Sequence, residues 1–323
     1  RPKTRAILGL MRLNFLSVLA ALRELTMTKH LKTHWRACGL ALIAATAQLA
    51  FTAPVQAQTQ AQAAPDTLAK IRSEGVIRLG VRDNAAPFAY VDAKGKPGGF
   101  TWEVCRALVK NLEAELGRPI EIKVVPNAFA APFDLLKDGR IDMQCGATTH
   151  SAERAKQADF SNTFFVSGIA VAYRKEDVQY ANPLKFGRVA VLANSMAAKI
   201  MERRMGAKGS ASIDTMVPVK SYEEGVAKLK AKEADTLFAD SVLIPLDPAI
   251  DRRRSLETVE PYALMMRKGD RAFVDAVDRA LMKVLSGPQA RQFATDAKLD
   301  GRLNILTTEA WRRGSKEPAP QMY

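Results

Sequence analysis

The residues best suited to chemistry gather in one stretch, Cys145-Gly146-Ala147-Thr148-Thr149-His150-Ser151-Ala152-Glu153-Arg154. Cys145 ends an alternating apolar run with Ile141 and Met143, and Gly146 relaxes a turn. Ser151 with Glu153 then reads as the capped start of a helix. Backbone N–H groups at such a start, with a guanidinium one turn in, suit a carboxylate. Read locally, the same residues also make an ordinary capped surface helix with Arg154 in solvent, and local sequence alone favours that plainer reading. Enzyme constellations are thin. Beyond residue 57 the chain has one histidine, His150, so a histidine-rich zinc site or a histidine relay is excluded. No GxSxG elbow, Walker loop or zincin motif occurs, and Gly95-Lys96-Pro97-Gly98-Gly99 lacks the Gly-Lys-Ser/Thr of a phosphate loop. Catalysis by an Asp or Glu general acid stays open.

The elements that must position this stretch alternate. Asp66 is a plausible cap for a short first helix, followed by a strand at 76–81 and a turn around 94–99. A helix at 101–116, a strand at 120–125, a helix at 134–137 and a strand at 141–145 complete the first series. A second series begins after residue 168: strand 189–192, helix 196–205, strand 216–219, helix 222–230 and strand 236–239. A long helix near 272–284 closes the fold, and the tail beyond Leu306 reads as polar and loosely ordered. Strands alternating with helices predict an α/β protein with largely parallel sheets.

The 323 residues suffice for two lobes or one large domain, and 47% hydrophobic with 25% charged residues is an ordinary globular composition. Of the 48 basic and 34 acidic residues, eight and one lie within residues 1–57, leaving 40 against 33. That moderate excess favours anionic small molecules or surfaces and removes most support for nucleic acid. Residues 27–57 carry a basic start (Lys29, Lys32, Arg36), an apolar run from Ala37 to Ala50, and small residues at Val55 and Ala57. This is the order of a cleavable export signal. Residues 1–26 read as a mis-called upstream segment and 58–65 as a flexible leader. Export leaves Cys105 and Cys145, an even pair in an oxidising space. A disulfide between them and two buried free thiols are nearly equal alternatives.

Several segments, in their order, carry a resemblance. They are Gly80-Val81-Arg82-Asp83 with Pro87-Phe88, Gly98-Gly99-Phe100-Thr101, Leu135 to Asp142, Cys145 to Thr149, Glu153-Arg154, Asp159-Phe160-Ser161, and Pro261-Tyr262 with Met265 and Arg267 to Asp270. Over about residues 66–300 the chain resembles the family 3 periplasmic solute-binding proteins of amino-acid ABC importers, nearest their glutamate/aspartate branch. The resemblance implies a type II fold of two α/β lobes joined by two hinge strands, with the ligand in the cleft. It places the first lobe at 66–167 with a return at 260–306, the second at 168–259, and a tail at 307–323. It implies that Arg154 grips a ligand α-carboxylate, assisted by Thr149, and that Asp240 takes the ammonium. Ser195 and Met196 align with the second-lobe helix start that completes the carboxylate cradle. Arg82 matches an arginine used near the ligand side chain. The implied partners are an amino-acid-like solute and an inner-membrane permease, with a monomeric periplasmic protein and no cofactor or metal.

Departures fall where specificity is made. Ala128-Phe129-Ala130-Ala131-Pro132 stands where the branch carries Thr-Ser-Gln-Asn-Arg, Ala147 replaces a serine, and Tyr222 stands for a histidine. A buried distal carboxylate would then be poorly paired, at a cost of several kcal/mol. Two other functions fit the scaffold. One is a non-transport accessory or sensory binding protein. The other is an enzyme like the periplasmic cyclohexadienyl dehydratases, for which Glu223 and Glu224 are nearby acids without a motif.

Overall fold

The computed structural model of the protein describes residues 66–129, 131–206 and 212–320. The readings for 1–26, 27–57 and 58–65 fall outside the described residues, as does Ala130.

Asp66 caps α1 (Thr67–Glu74), its carboxylate accepting from the Ala69 amide at 2.8 Å. β1 (Val76–Arg82) follows, with Ile77, Leu79 and Val81 fully buried at alternating positions. A short excursion through β2 (Asn84–Ala85), β3 (Ala89–Val91) and β4 (Pro97–Gly98) delivers the chain to α2 (Phe100–Leu116). α2 buries Val104, Leu108 and Leu112, four residues apart on one stripe. Next come β5 (Glu121–Asn127), α3 (Pro132–Lys137), β6 (Met143–Cys145) and β7 (Ala158–Phe160). The second series is β8 (Phe165–Ser167), β9 (Ile169–Arg174), β10 (Lys185–Leu192), α4 (Met196–Gly206), β11 (Ser212–Val219), α5 (Tyr222–Lys230), β12 (Thr236–Asp240) and β13 (Ile250–Arg252). The chain closes with β14 (Glu260–Tyr262), β15 (Met265–Arg267), α6 (Arg271–Leu285), α7 (Pro288–Asp296) and α8 (Ile305–Arg313).

Two five-stranded sheets result, ordered β5-β1-β6-β15-β7 and β11-β10-β12-β9-β13. In each, four strands run in one direction and one runs against them, β15 in the first sheet and β9 in the second. Between them β8 and β14 pair antiparallel, with Ser167 opposite Glu260 and Phe165 opposite Tyr262. Each of these crossing strands runs on into the next sheet, β8 into β9 and β14 into β15, and these are the two reversed strands. Gly168 sits at the crossing because a Cβ there would lie 2.5 Å from the Thr258 carbonyl oxygen. Cys105 on α2 and Cys145 on β6 are joined by a disulfide, with 6.5 Å between their Cα atoms.

Two expectations are corrected. The segment after Ser151 is no α-helix. Ser151 Oγ accepts the Arg154 amide at 3.3 Å, but a single 3-10 turn, Arg154–Lys156, forms before β7. Flanking backbone is committed to strands: the His150 amide donates to the Pro261 carbonyl and Ser151 bridges Ala319. The tail is not loose either. Trp311 on α8 is 4% exposed, stacks on Phe100 at 6.2 Å and donates from Nε1 to the Phe164 carbonyl at 2.7 Å. Beyond it, Ser315 and Ala319 each hydrogen-bond the main fold through their backbones at 2.7 Å. One indole outweighs a polar composition because burying so large an apolar ring, with its N–H paired, favours docking of the helix that carries it. It completes an aromatic cluster in which Phe88 packs edge-on against Phe165 (4.8 Å) and Tyr262 (5.4 Å), the two residues paired across the crossing strands.

Candidate functional site

Charged side chains converge at the carboxyl ends of the parallel strands, where open α/β sheets bind ligands. Arg82 ends β1, the loop after β5 supplies Phe129, and the loop after β6 supplies Ala147 to Arg154. From the other sheet, β10 leads into Ser195 and Met196, β11 into Tyr222 at the start of α5, and β12 ends on Asp240.

Arg154 is 7% exposed, so the solvent-facing reading is overturned. Its Nη1 donates to the Thr149 carbonyl at 3.1 Å, which holds the guanidinium against the loop that carries it. Burial pushes it below the ordinary arginine range, opposed by the Glu260 and Asp240 carboxyls. Arg82 is 3% exposed, and its Nε and Nη1 have no hydrogen-bond partner among the described residues. The Phe129 ring serves both cations, its centroid 4.5 Å from the Arg82 guanidinium carbon and 5.7 Å from that of Arg154. Tyr222 lies 5.7 Å from Arg82 on another side. Burial pushes the Tyr222 hydroxyl up to about 12, opposed by Arg82, so it is a neutral donor throughout the physiological range.

Asp240 is half-buried, and the Tyr262 hydroxyl donates to its Oδ1 at 2.7 Å. This bond ties a crossing strand to the end of β12. Burial pushes the Asp240 carboxyl up, opposed by the Tyr262 hydrogen bond and by Arg82 and Arg154. Across the opening, Lys199 on α4 pairs with Glu153 at 2.7 Å. A cavity of about 130 Å³ lies beside this pair, lined by Phe129, Thr148 and Arg154 on one side and Asn194 and Lys199 on the other.

Ser195 is buried and caps α4: its Oγ accepts the Ala198 amide at 3.0 Å, while its own amide donates to the Leu192 carbonyl. That amide is therefore committed to the turn, leaving the hydroxyl hydrogen and the Met196 amide as the donors this turn offers a ligand. The Thr149 hydroxyl bonds Glu260. Ala147 is buried in the core cluster. His150 is buried, stacked on Phe160 at 4.5 Å and held below its ordinary range by burial. Glu223 is exposed, and Glu224 is held at the start of α5, its carboxylate accepting the Lys220 amide at 2.7 Å while its own amide donates to Ser221 Oγ.

Glu260 escaped sequence reading. It is 2% exposed, its Oε2 is without a partner among the described residues, and the Thr149 and Thr258 hydroxyls bond it. Burial and the neighbouring Asp240 push it up to about 7. The one available signal was an acidic residue directly before Pro261-Tyr262 on a strand.

Two α/β sheets, a crossing strand pair and opposed charges at the strand ends define a two-lobed binding-protein fold. The chain belongs to the bacterial extracellular solute-binding proteins, family 3, whose pattern matches residues 77–293. It is 27% identical over 247 residues to the glutamate/aspartate import solute-binding protein of Escherichia coli (strain K12), spanning 74% of this chain and 81% of that one. It is 30% identical over 226 residues to the L-glutamate/L-aspartate-binding protein of Pseudomonas aeruginosa (strain PAO1), spanning 67% and 74%. Among solved structures, an ancestral amino acid-binding protein described as a precursor of cyclohexadienyl dehydratase matches with a TM-score of 0.62. That match has 22% identity and covers 72% of this chain and 99% of the other. At that identity the likeness is one of fold.

Proposed function

We propose that the protein is the periplasmic receptor of an amino-acid ABC importer and captures an acidic amino acid by closure of its lobes. Arg154 binds the α-carboxylate with the Ser195 hydroxyl and Met196 amide, Asp240 binds the ammonium, and Arg82 pairs the distal carboxylate between Phe129 and Tyr222. The observation that carries this reading is the pair of unpartnered nitrogens on buried Arg82, within a site that also gathers Arg154 and Asp240. A buried guanidinium must be paired, and a ligand carboxylate supplies the pairing. The names of the Escherichia coli and Pseudomonas aeruginosa relatives support the same ligand class. In this reading the lobes are 66–167 with 260–306, and 168–259, and the crossing strands are the hinge. A monomer presents its closed form to an inner-membrane permease after cleavage of the 27–57 signal.

A thermal-shift screen over the amino acids and dicarboxylates tests it, because a ligand of the folded state raises Tm by mass action. Glutamate or aspartate is expected to give the largest shift, and Arg82→Ala to reduce that shift more than the shift with a neutral amino acid. A largest shift from an uncharged or non-amino-acid solute would refute it. Glu260 gives one observation in favour of a second reading, since a buried carboxyl titrating at about 7 is what a general acid requires. Product formation from prephenate or arogenate would establish that reading.

A further inference from the structure

We infer that Glu260 sets the charge of the ligand the cleft accepts, through a proton taken up or released with the ligand. The inference rests on the amino-acid reading above. The cleft holds two guanidiniums, Arg82 and Arg154, and two carboxyls, Asp240 and Glu260, and the Tyr262 hydroxyl is bonded to Asp240. With Glu260 protonated the set carries one net positive charge and complements an amino acid with two carboxylates and one ammonium. With Glu260 ionised the set is neutral, complements a neutral zwitterion and repels a second carboxylate.

The placement supports a shared proton. Glu260 lies on the crossing strand itself, opposite Ser167, with Oε2 buried and unpartnered. Asp240 at the end of β12 raises its pKa, while Arg154 from the loop after β6 and hydrogen bonding from the Thr149 and Thr258 hydroxyls lower it. Glu260 also lines a cavity of about 180 Å³ together with Glu153, Met196 and Arg203. Two interacting carboxyls do not both ionise freely, so one holds a proton near neutrality. Glu260 is that one, since burial and Asp240 together raise it to about 7. A ligand of net negative charge favours the protonated form and therefore binds with proton uptake.

Calorimetry of L-glutamate and L-glutamine tests this between about pH 5.5 and 8.5, where neither ligand changes charge appreciably. If only the protonated site binds glutamate, its affinity falls about 30-fold across that range while that of glutamine does not fall. Titrations in buffers of different ionisation enthalpy should show proton uptake with glutamate. Glu260→Gln, which keeps the shape and fixes the neutral state, should remove both the uptake and the pH dependence. Glutamate binding that is independent of pH in the wild-type protein would overturn the inference and leave the amino-acid reading standing. A pH dependence retained in Glu260→Gln would overturn it equally. Binding of neither amino acid at any pH would overturn the amino-acid reading and this inference with it.

Discussion

Burying Glu260 should make stability fall with pH in a way one substitution removes. The carboxyl titrates at about 7 in the fold against an ordinary 4.5, so the folded state holds the proton more tightly than the unfolded chain. A raised folded value favours the fold at low pH, and that contribution is lost as pH rises from the unfolded to the folded value. Between about pH 5 and about pH 8.5 the loss amounts to about 2.5 kcal/mol. For a fold of this size each kcal/mol moves Tm by about 2–4 °C, which gives a relative shift of about 5–10 °C. Glu260→Gln retains the neutral hydrogen-bonding shape and cannot ionise, and it relieves Asp240 of a negative neighbour. The assay is calorimetric melting of ligand-free wild type and variant across that range. The variant's Tm relative to wild type should climb steadily with pH, whereas parallel curves would refute the claim that Glu260 ionises at a cost inside the hinge.

Two further outcomes probe the scaffold. Replacing Cys105 and Cys145 by alanine opens a loop between residues 40 apart in sequence and should cost roughly 3–4 kcal/mol of stability, read by denaturant unfolding under oxidising conditions. Trp311→Ala removes the indole that anchors α8 on Phe100 and Phe164 and should cost about 3–5 kcal/mol in the same assay, whereas a change below about 1 kcal/mol would show that the tail is peripheral.

Local signals were legible and long-range enclosure was not. α5 spans Tyr222–Lys230 as read, because Ser221 caps it and its buried residues recur at helical spacing. The strand ends carrying Arg82 and Asp240 follow from the apolar runs that precede them. Arg154 itself reads locally as a solvent residue, and its burial depends on Phe129 and on carboxyls contributed by distant segments. Glu260 was invisible for a sharper reason: a glutamate at the start of a short strand reads as exposed unless its partner strand is known. Here that partner is Ser167, which precedes it by 93 residues. Phe129 read as a loss of polar ligand groups, while in the fold its ring faces both guanidiniums. Aromatic faces satisfy cations in a way that sequence comparison of polar residues does not register.

The measurement that bears most directly on the central claim is calorimetry of L-glutamate and L-aspartate with wild type, Arg154→Ala and Asp240→Ala, each first shown to be folded by its melting transition. Each ligand charge leaves water on closure and must be paired, so removing either partner should weaken binding by about 2–5 kcal/mol, about 30- to several-thousand-fold. Wild type should bind, and both variants should bind at least 30-fold more weakly. An Asp240→Ala protein that binds as tightly as wild type would contradict the account.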